Sequence, residues 1–293
     1  VALKKFMISE EKFSDSKNQA AILGHLQKFE VLAKKGTHDS VLSKDNFRFS
    51  QEVFREHIVD VERVFRLGSK SYARWRLNST IAVCMSCHSQ LPAQNQVFAD
   101  FVDTKMFASD FDQAEFLFAT RAFDKAIVIY DKILSGYPEN KASQDQIEGA
   151  LQREVAYFSR VKRDPGMGIL KFRVHQRNKN LPENLRKLIG KWVEQLEVWE
   201  KEGDLVVSQA TDKQILDSVR KRLDSDKGFQ VVDHKHPQLV NFLRVSGMLY
   251  EYLYTHPNSK ILPELLYWLA VTERSISQSF FYSLASLYLR ECI

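Results

Sequence analysis

The sequence predicts an all-α protein, with a small antiparallel bundle of helices followed by an array of helix pairs. The chain of 293 residues contains only 11 glycines and 7 prolines, and no proline precedes Pro92. Scarcity of these residues favours long helices with short connections. Apolar residues also recur at intervals of three and four along most of the chain. With 44% hydrophobic residues, it can bury a substantial core.

Three amphipathic segments are predicted within the first hundred residues. The first ends near Gly36, and the second stops at Gly68. The third begins after Ser69 and ends before Pro92, since proline cannot continue a helix. The third segment places Leu77, Ile81, Cys84 and His88 on one face, because their offsets are four, three and four. It also contains two of the three cysteines, Cys84 and Cys87.

Those two cysteines form the pattern Cys84-Met85-Ser86-Cys87-His88. This is the pattern at which haem c is attached. Two thiols three positions apart on a helical turn can reach both vinyl groups of one porphyrin, and the adjacent histidine then serves as the proximal iron ligand. Chance coincidence of these residues is of order 10⁻³. We therefore predict one covalent haem c, bound by Cys84 and Cys87, with His88 on the iron.

Two other interpretations of the cysteine pair fit less well. A thioredoxin-like redox pair requires a βαβ setting, whereas the flanking residues predict continuous helix. A structural zinc site requires further ligands nearby, and the remaining cysteine is the distant Cys292. Covalent haem implies a periplasmic or otherwise exported protein. The chain starts at Val1 without a charged and apolar leader, so we expect a signal peptide to have been removed.

Two histidines and one methionine, Met7, are candidates for the distal side of the iron. His25 and His57 each lie on the inward face of a predicted helix. Each can equally be interpreted as a polar side chain that fills a niche in a bundle core. An open or water-ligated iron is the third possibility.

Residues 1–95 resemble the cytochrome c′/c-556 family, in which the attachment motif lies near the end of the last helix of a small bundle. The specific part of this resemblance is Cys84, Cys87 and His88. It implies an antiparallel helical haem domain. Only three helices are clear from the pattern, so a fourth is expected in 2–13 or 97–107.

A connector is expected over 96–110, and residues 111–293 are predicted to form a second domain. Its first helix pair resembles a tetratricopeptide repeat. In that family an aromatic residue opens the second helix, a small residue three positions later permits close packing, another aromatic follows, and a proline ends the helix. These positions hold Phe123, Ala126, Tyr130 and Pro138. Further helices are expected over 142–159, 166–177, 183–202, 211–224, 237–255, 262–275 and 279–292.

The expected function is electron transfer or redox sensing within a multiprotein assembly. The repeats would bind protein partners, and a redox partner is possible. The alternatives are an interaction scaffold with a structural haem, or a haem enzyme or gas sensor with an open distal site; an electron carrier or scaffold is preferred over a catalyst. A net charge of +5 is too mild to make nucleic acid the default partner. No run of 18 apolar residues predicts a membrane span.

Overall fold

The computed structural model describes residues 3–7, 9–35, 45–90, 107, 109–223, 238–276 and 288–289. Over these residues the backbone forms helices and their connections, without a β-strand. The prediction of an all-α protein is therefore confirmed. The chain divides into two compact units, Val1–Cys87 and His88–Ile293. No helix in the described part combines the length and apolar character needed to cross a bilayer.

Five α-helices begin in the described part of the first unit, and the last three of them match the three predicted segments. They are α1 (Lys4–Met7), α2 (Glu10–Ser14), α3 (Gln19–Lys35), α4 (Asp45–Arg66) and α5 (Lys70–His88). At the N-terminus the structure has two short helices, α1 and α2, in place of one helix over 2–13. The alternative position, 97–107, lies outside the described residues except for residue 107.

The core of the first unit is formed where α3 and α4 pack together. Ile22 and Leu26 of α3 and Val61 of α4 are fully buried in one cluster, which Phe13 of α2 also joins. The chain reverses between α4 and α5 at Gly68, whose φ of +90° would strain any residue with a side chain. The glycine that was expected to end the second helix therefore has a conformational reason to be there.

In the described part of the second unit, eight α-helices follow in the order expected from the sequence. They are α6 (Asp110–Ala119), α7 (Phe123–Ser135), α8 (Gln144–Ala156), α9 (Pro165–Arg177), α10 (Glu183–Glu202), α11 (Asp212–Arg222), α12 (Leu239–Thr255) and α13 (Leu262–Ile276). Consecutive helices pack as pairs in α6–α7, α9–α10 and α12–α13. The helix expected over 279–292 lies largely outside the described residues.

Local capping explains several of these boundaries. Ser143 before α8 and Thr211 before α11 each form a capping box, with Gln146 and Gln214 respectively. These reciprocal hydrogen bonds satisfy backbone N–H groups that a helix start leaves without partners. α8 continues into a π-helical turn, Tyr157–Val161, in which all five residues are buried.

Candidate functional site

The predicted haem ligands lie at the C-terminal end of α5. Cys84 and Cys87 form no disulfide; both are partly buried and lie one helical turn apart. Burial raises the pKa of the Cys84 thiol to about 12, and the nearby Cys87 contributes to this rise. Both cysteines thus lie on one continuous helix, as their spacing in the sequence predicted.

His88 is the last residue of α5 and is held by two backbone contacts. Its Nδ1 atom hydrogen-bonds the carbonyl oxygen of Ala119, at the end of α6. Because a carbonyl oxygen only accepts, Nδ1 must be the donor. The neutral ring then carries its lone pair on Nε2, and this is the tautomer in which histidine binds a metal through Nε2.

The turn between α6 and α7 supplies the second contact. Arg121 donates from Nη1 to the His88 carbonyl oxygen at 2.5 Å. The backbone of Arg121 has a φ of 64°, in the left-handed region that few residues other than glycine adopt. Strained backbone of this kind persists where surrounding contacts hold it. The end of α6 and the turn that follows it therefore supply both groups that hold His88.

His57 is buried on α4, as its inward position in the sequence predicted. Its Nε2 atom lies 2.9 Å from the Arg76 carbonyl oxygen and 3.1 Å from Thr80 Oγ1, both on α5. Burial, together with the charge of Arg76, lowers the pKa of His57 to about 4. Its neutral ring thus links α4 to α5. A role as distal ligand stays a prediction.

His25 is partly buried on α3. Its ring lies 6.1 Å, centroid to centroid, from that of Phe6 in α1, in a tilted arrangement. His25 therefore lies between two helices of the first unit. Its role as distal ligand also stays a prediction.

The residues that resemble a tetratricopeptide repeat are buried along α7. Phe123, Ala126 and Tyr130 are each at most 2% exposed. The Tyr130 hydroxyl donates to Glu115 of α6 at 2.6 Å, and Arg153 of α8 donates to the same carboxylate at 3.0 Å. The ion pair between Glu115 and Arg153 connects α6 to α8, a link that the repeat signature does not contain.

A second cluster of chemically active side chains was not predicted. Asp131, Glu154 and His175 lie on three successive helices, α7, α8 and α9. One ligand atom from each lies within 4.8 Å of the others. No local motif marks them, since no two are neighbours in the sequence. Only the alignment of helix faces across two connections could have indicated this cluster.

The donor set at the end of α5 fits covalent haem better than the alternatives. Two thiols one turn apart are followed by an imidazole whose Nδ1 proton is directed at a carbonyl. The described residues contain no strand that could supply a thioredoxin-like setting. Comparison of the chain with models of protein families, with curated proteins and with solved structures found no match.

Proposed function

We propose that this chain is an exported protein that binds one haem c covalently and acts in one-electron transfer or redox sensing. Cys84 and Cys87 would form the two thioether bonds, and His88 would ligate the iron. The observation that carries the proposal is the Nδ1 contact of His88 with the Ala119 carbonyl, directly after the cysteine pair. Such a contact orients an imidazole and raises its basicity as a metal ligand.

The residues around the proposed site have defined tasks. Haem c supplies an iron centre that takes up and releases one electron. Cys84 and Cys87 hold the group in place irreversibly, while the Ala119 carbonyl fixes the orientation of the His88 ring. Arg121 donates to the His88 backbone, so it restrains the end of α5. These contacts would keep the ligand geometry constant between two charge states of the iron.

The helix pairs of the second unit support a role in protein binding. Phe123, Ala126 and Tyr130 occupy the packing positions of a tetratricopeptide-like pair and are buried there. Stacked helix pairs present extended surfaces, and proteins built in this way commonly bind other proteins. We infer that this unit holds the haem unit within an assembly that includes a redox partner.

Production of the full chain with a haem-attachment system tests the proposal. We expect a pyridine haemochrome spectrum typical of two thioether bonds, and a mass increase of one haem per chain. The variant Cys84→Ala/Cys87→Ala should lose both. Cys292→Ala is the matched control, because it removes the cysteine outside the motif, and it should retain both signals. Absence of bound haem in the parent chain would contradict the proposal.

The spectrum of the loaded chain separates the candidate functions. A six-coordinate, low-spin iron that does not bind carbon monoxide favours electron transfer or a structural haem. A five-coordinate iron that binds carbon monoxide favours a gas sensor or haem enzyme. His57 Nε2 already contacts Arg76 and Thr80, so we expect that His57 does not ligate the iron. His57→Gln should therefore leave the coordination of the iron unchanged.

A further inference from the structure

A buried group of metal-binding side chains lies in the second unit, on the helices α7, α8 and α9. Glu154 Oε2 lies 2.8 Å from His175 Nε2, and Asp131 Oδ1 lies 3.6 Å from the same nitrogen. Glu154 is fully buried and the His175 side chain is 4% exposed. Two carboxylates therefore converge on one imidazole nitrogen inside the protein.

The carboxylate of Glu154 is incompletely satisfied. Its Oε2 atom meets His175, but Oε1 has no hydrogen-bond partner among the described residues. A buried charged oxygen without a partner is costly, and such atoms call for an explanation such as a bound ion. Burial also raises the pKa of the Glu154 carboxyl above its usual value, against the opposing effect of His175.

Charge in the cluster favours a cation. Asp131 and Glu154 together carry two negative charges when ionised, and Lys171 supplies one positive charge nearby. Lys171 Nζ donates to Asp131 Oδ2 at 2.6 Å, whereas the oxygen nearer to His175 is Oδ1. The other oxygen of Asp131 stays directed at the imidazole. The atoms that converge on one point are thus Oδ1, Oε2 and Nε2.

A cleft of about 600 Å³ borders two members of this cluster, Asp131 and His175. Asp131, Lys171 and His175 contribute polar atoms to its lining. Met167, Leu170 and Val174 of α9 form an apolar wall, and all three are strongly exposed. Concave apolar clefts with a few convergent polar groups are the usual form of small-ligand sites. An ion could therefore reach the buried donors without passage through the core.

We propose that Asp131, Glu154 and His175 bind a divalent transition-metal ion of the Zn²⁺ class. An imidazole nitrogen beside two carboxylates suits such ions, whereas Mg²⁺ and Ca²⁺ prefer oxygen ligands alone. Zinc–nitrogen and zinc–oxygen distances of about 2.0–2.2 Å place tetrahedral donors about 3.3–3.6 Å apart. The separations of 2.8 and 3.6 Å at His175 Nε2 lie near this range, and all three donor atoms lie within 4.8 Å of one another, so binding requires the donors to shift. The ion would replace the proton between His175 and Glu154.

The proposed site has the open form of zinc centres that bind exchangeable ligands. Three protein donors leave a fourth position, and closed structural sites fill that position with another side chain. Here Asp131 and His175 border the cleft, so the fourth position faces it. Water or a small anion from the cleft is the ligand that this geometry would take.

Equilibrium dialysis of the full chain against Zn²⁺, with elemental analysis of bound metal, tests the proposal. We expect Glu154→Gln and Asp131→Asn each to bind one zinc ion fewer per chain than the parent. Asp217→Asn removes an exposed carboxylate from α11 and is the matched control, expected to bind as the parent does. Zinc bound elsewhere, including by Cys84 and Cys87, contributes equally to the parent and to the variants. It therefore does not affect the difference in bound zinc between them.

A second measurement guards against variants that fail to fold. Zn²⁺ should raise the Tm of the parent and of Asp217→Asn by more than it raises that of Asp131→Asn. Asp131 is partly exposed, so its amide variant keeps the test valid if Glu154→Gln is unfolded by circular dichroism. Equal zinc binding by the parent and by folded Asp131→Asn would overturn the proposal, as would a Mg²⁺ response equal to that of Zn²⁺.

Discussion

His57 shows how a single buried side chain makes the first unit sensitive to pH. Its pKa is lowered from 6.5 to about 4 in the folded chain, since burial and Arg76 disfavour the charged ring. In the unfolded chain the pKa returns to its ordinary value. Between these two values the unfolded state binds more protons, so stability increases with pH there. The contribution of His57 is present above about pH 6.5 and is lost as pH falls through about 4.

We expect the free energy of unfolding to decrease by about 2 kcal/mol between pH 7 and pH 5 because of His57 alone. His57→Gln removes this titration, so its free energy of unfolding should decrease less over the same interval. Urea unfolding of both chains without haem, at the two pH values, measures the difference. Equal losses in the two chains would show that the ring of His57 is accessible to protons when folded.

The relative positions of Cys84, Cys87 and His88, the residues of the proposed haem site, could be predicted because these residues are nearly contiguous. Cys84, Cys87 and His88 lie within five residues, so one helical turn determines their relative positions. The cluster of Asp131, Glu154 and His175 could not be predicted in this way. Its members approach one another only after three helices have packed, and their spacing follows from two connections of irregular length.

At the scale of elements, aromatic rings connect successive helices of the second unit. Phe118 of α6 contacts Phe123 of α7 at 4.9 Å between centroids, and Phe123 contacts Tyr157 at 6.2 Å. Phe158 then contacts Phe172 of α9, which contacts Trp192 of α10, a series that continues through buried positions. The Phe123–Tyr157 pair is tilted and the other three pairs are edge-to-face, an arrangement that adds to the stabilisation from burial of the rings.

Phe172 lies near the middle of this series and is fully buried. We expect Phe172→Ala to lower the free energy of unfolding of the second unit by about 3–5 kcal/mol, because it leaves a cavity between α9 and α10. Val174 on the same helix is 64% exposed, so Val174→Ala should change stability by less than about 0.5 kcal/mol. Denaturant unfolding of the two variants checks this contrast, and similar losses would contradict it.

Helix positions were largely predictable, because periodicity and caps are local properties. Thr211 and Gln214, which form the capping box at the start of α11, are three residues apart, so this helix start can be recognised from the sequence. The π-helical turn after α8 was not predictable: the pattern indicated helix to residue 159, and the structure inserts Tyr157–Val161 in a wider turn. Its cause is tertiary, since Ser159 and Arg160 are buried there by other helices.

At the scale of the molecule, one ion pair joins distant parts of the second unit. Arg160 in the π-helical turn donates to Glu273 of α13, and both are almost completely buried. The Tyr250 hydroxyl of α12 donates to the same carboxylate oxygen at 3.0 Å. Removal of one partner from a buried pair leaves the other charge without compensation, and this costs more than the pair itself contributes.

We expect Glu273→Gln to lower the free energy of unfolding by about 3–5 kcal/mol. The double variant Arg160→Met/Glu273→Leu should recover part of this loss, because neither charge is then buried. Glu183→Gln, in the exposed pair with Lys187, is the matched control and should leave the free energy of unfolding nearly unchanged. Thermal or denaturant unfolding of the four chains measures these values, and a Glu273→Gln variant as stable as the control would contradict the assignment.

The high pKa of Cys84 has a consequence for the lifetime of the newly made chain. Because burial raises the pKa of Cys84 to about 12, only a very small fraction of this side chain is a thiolate at pH 7. Alkylation, peroxide oxidation and disulfide exchange all proceed through the thiolate, so each is slow at this sulfur. Cys84 would therefore resist premature oxidation for as long as it stays buried.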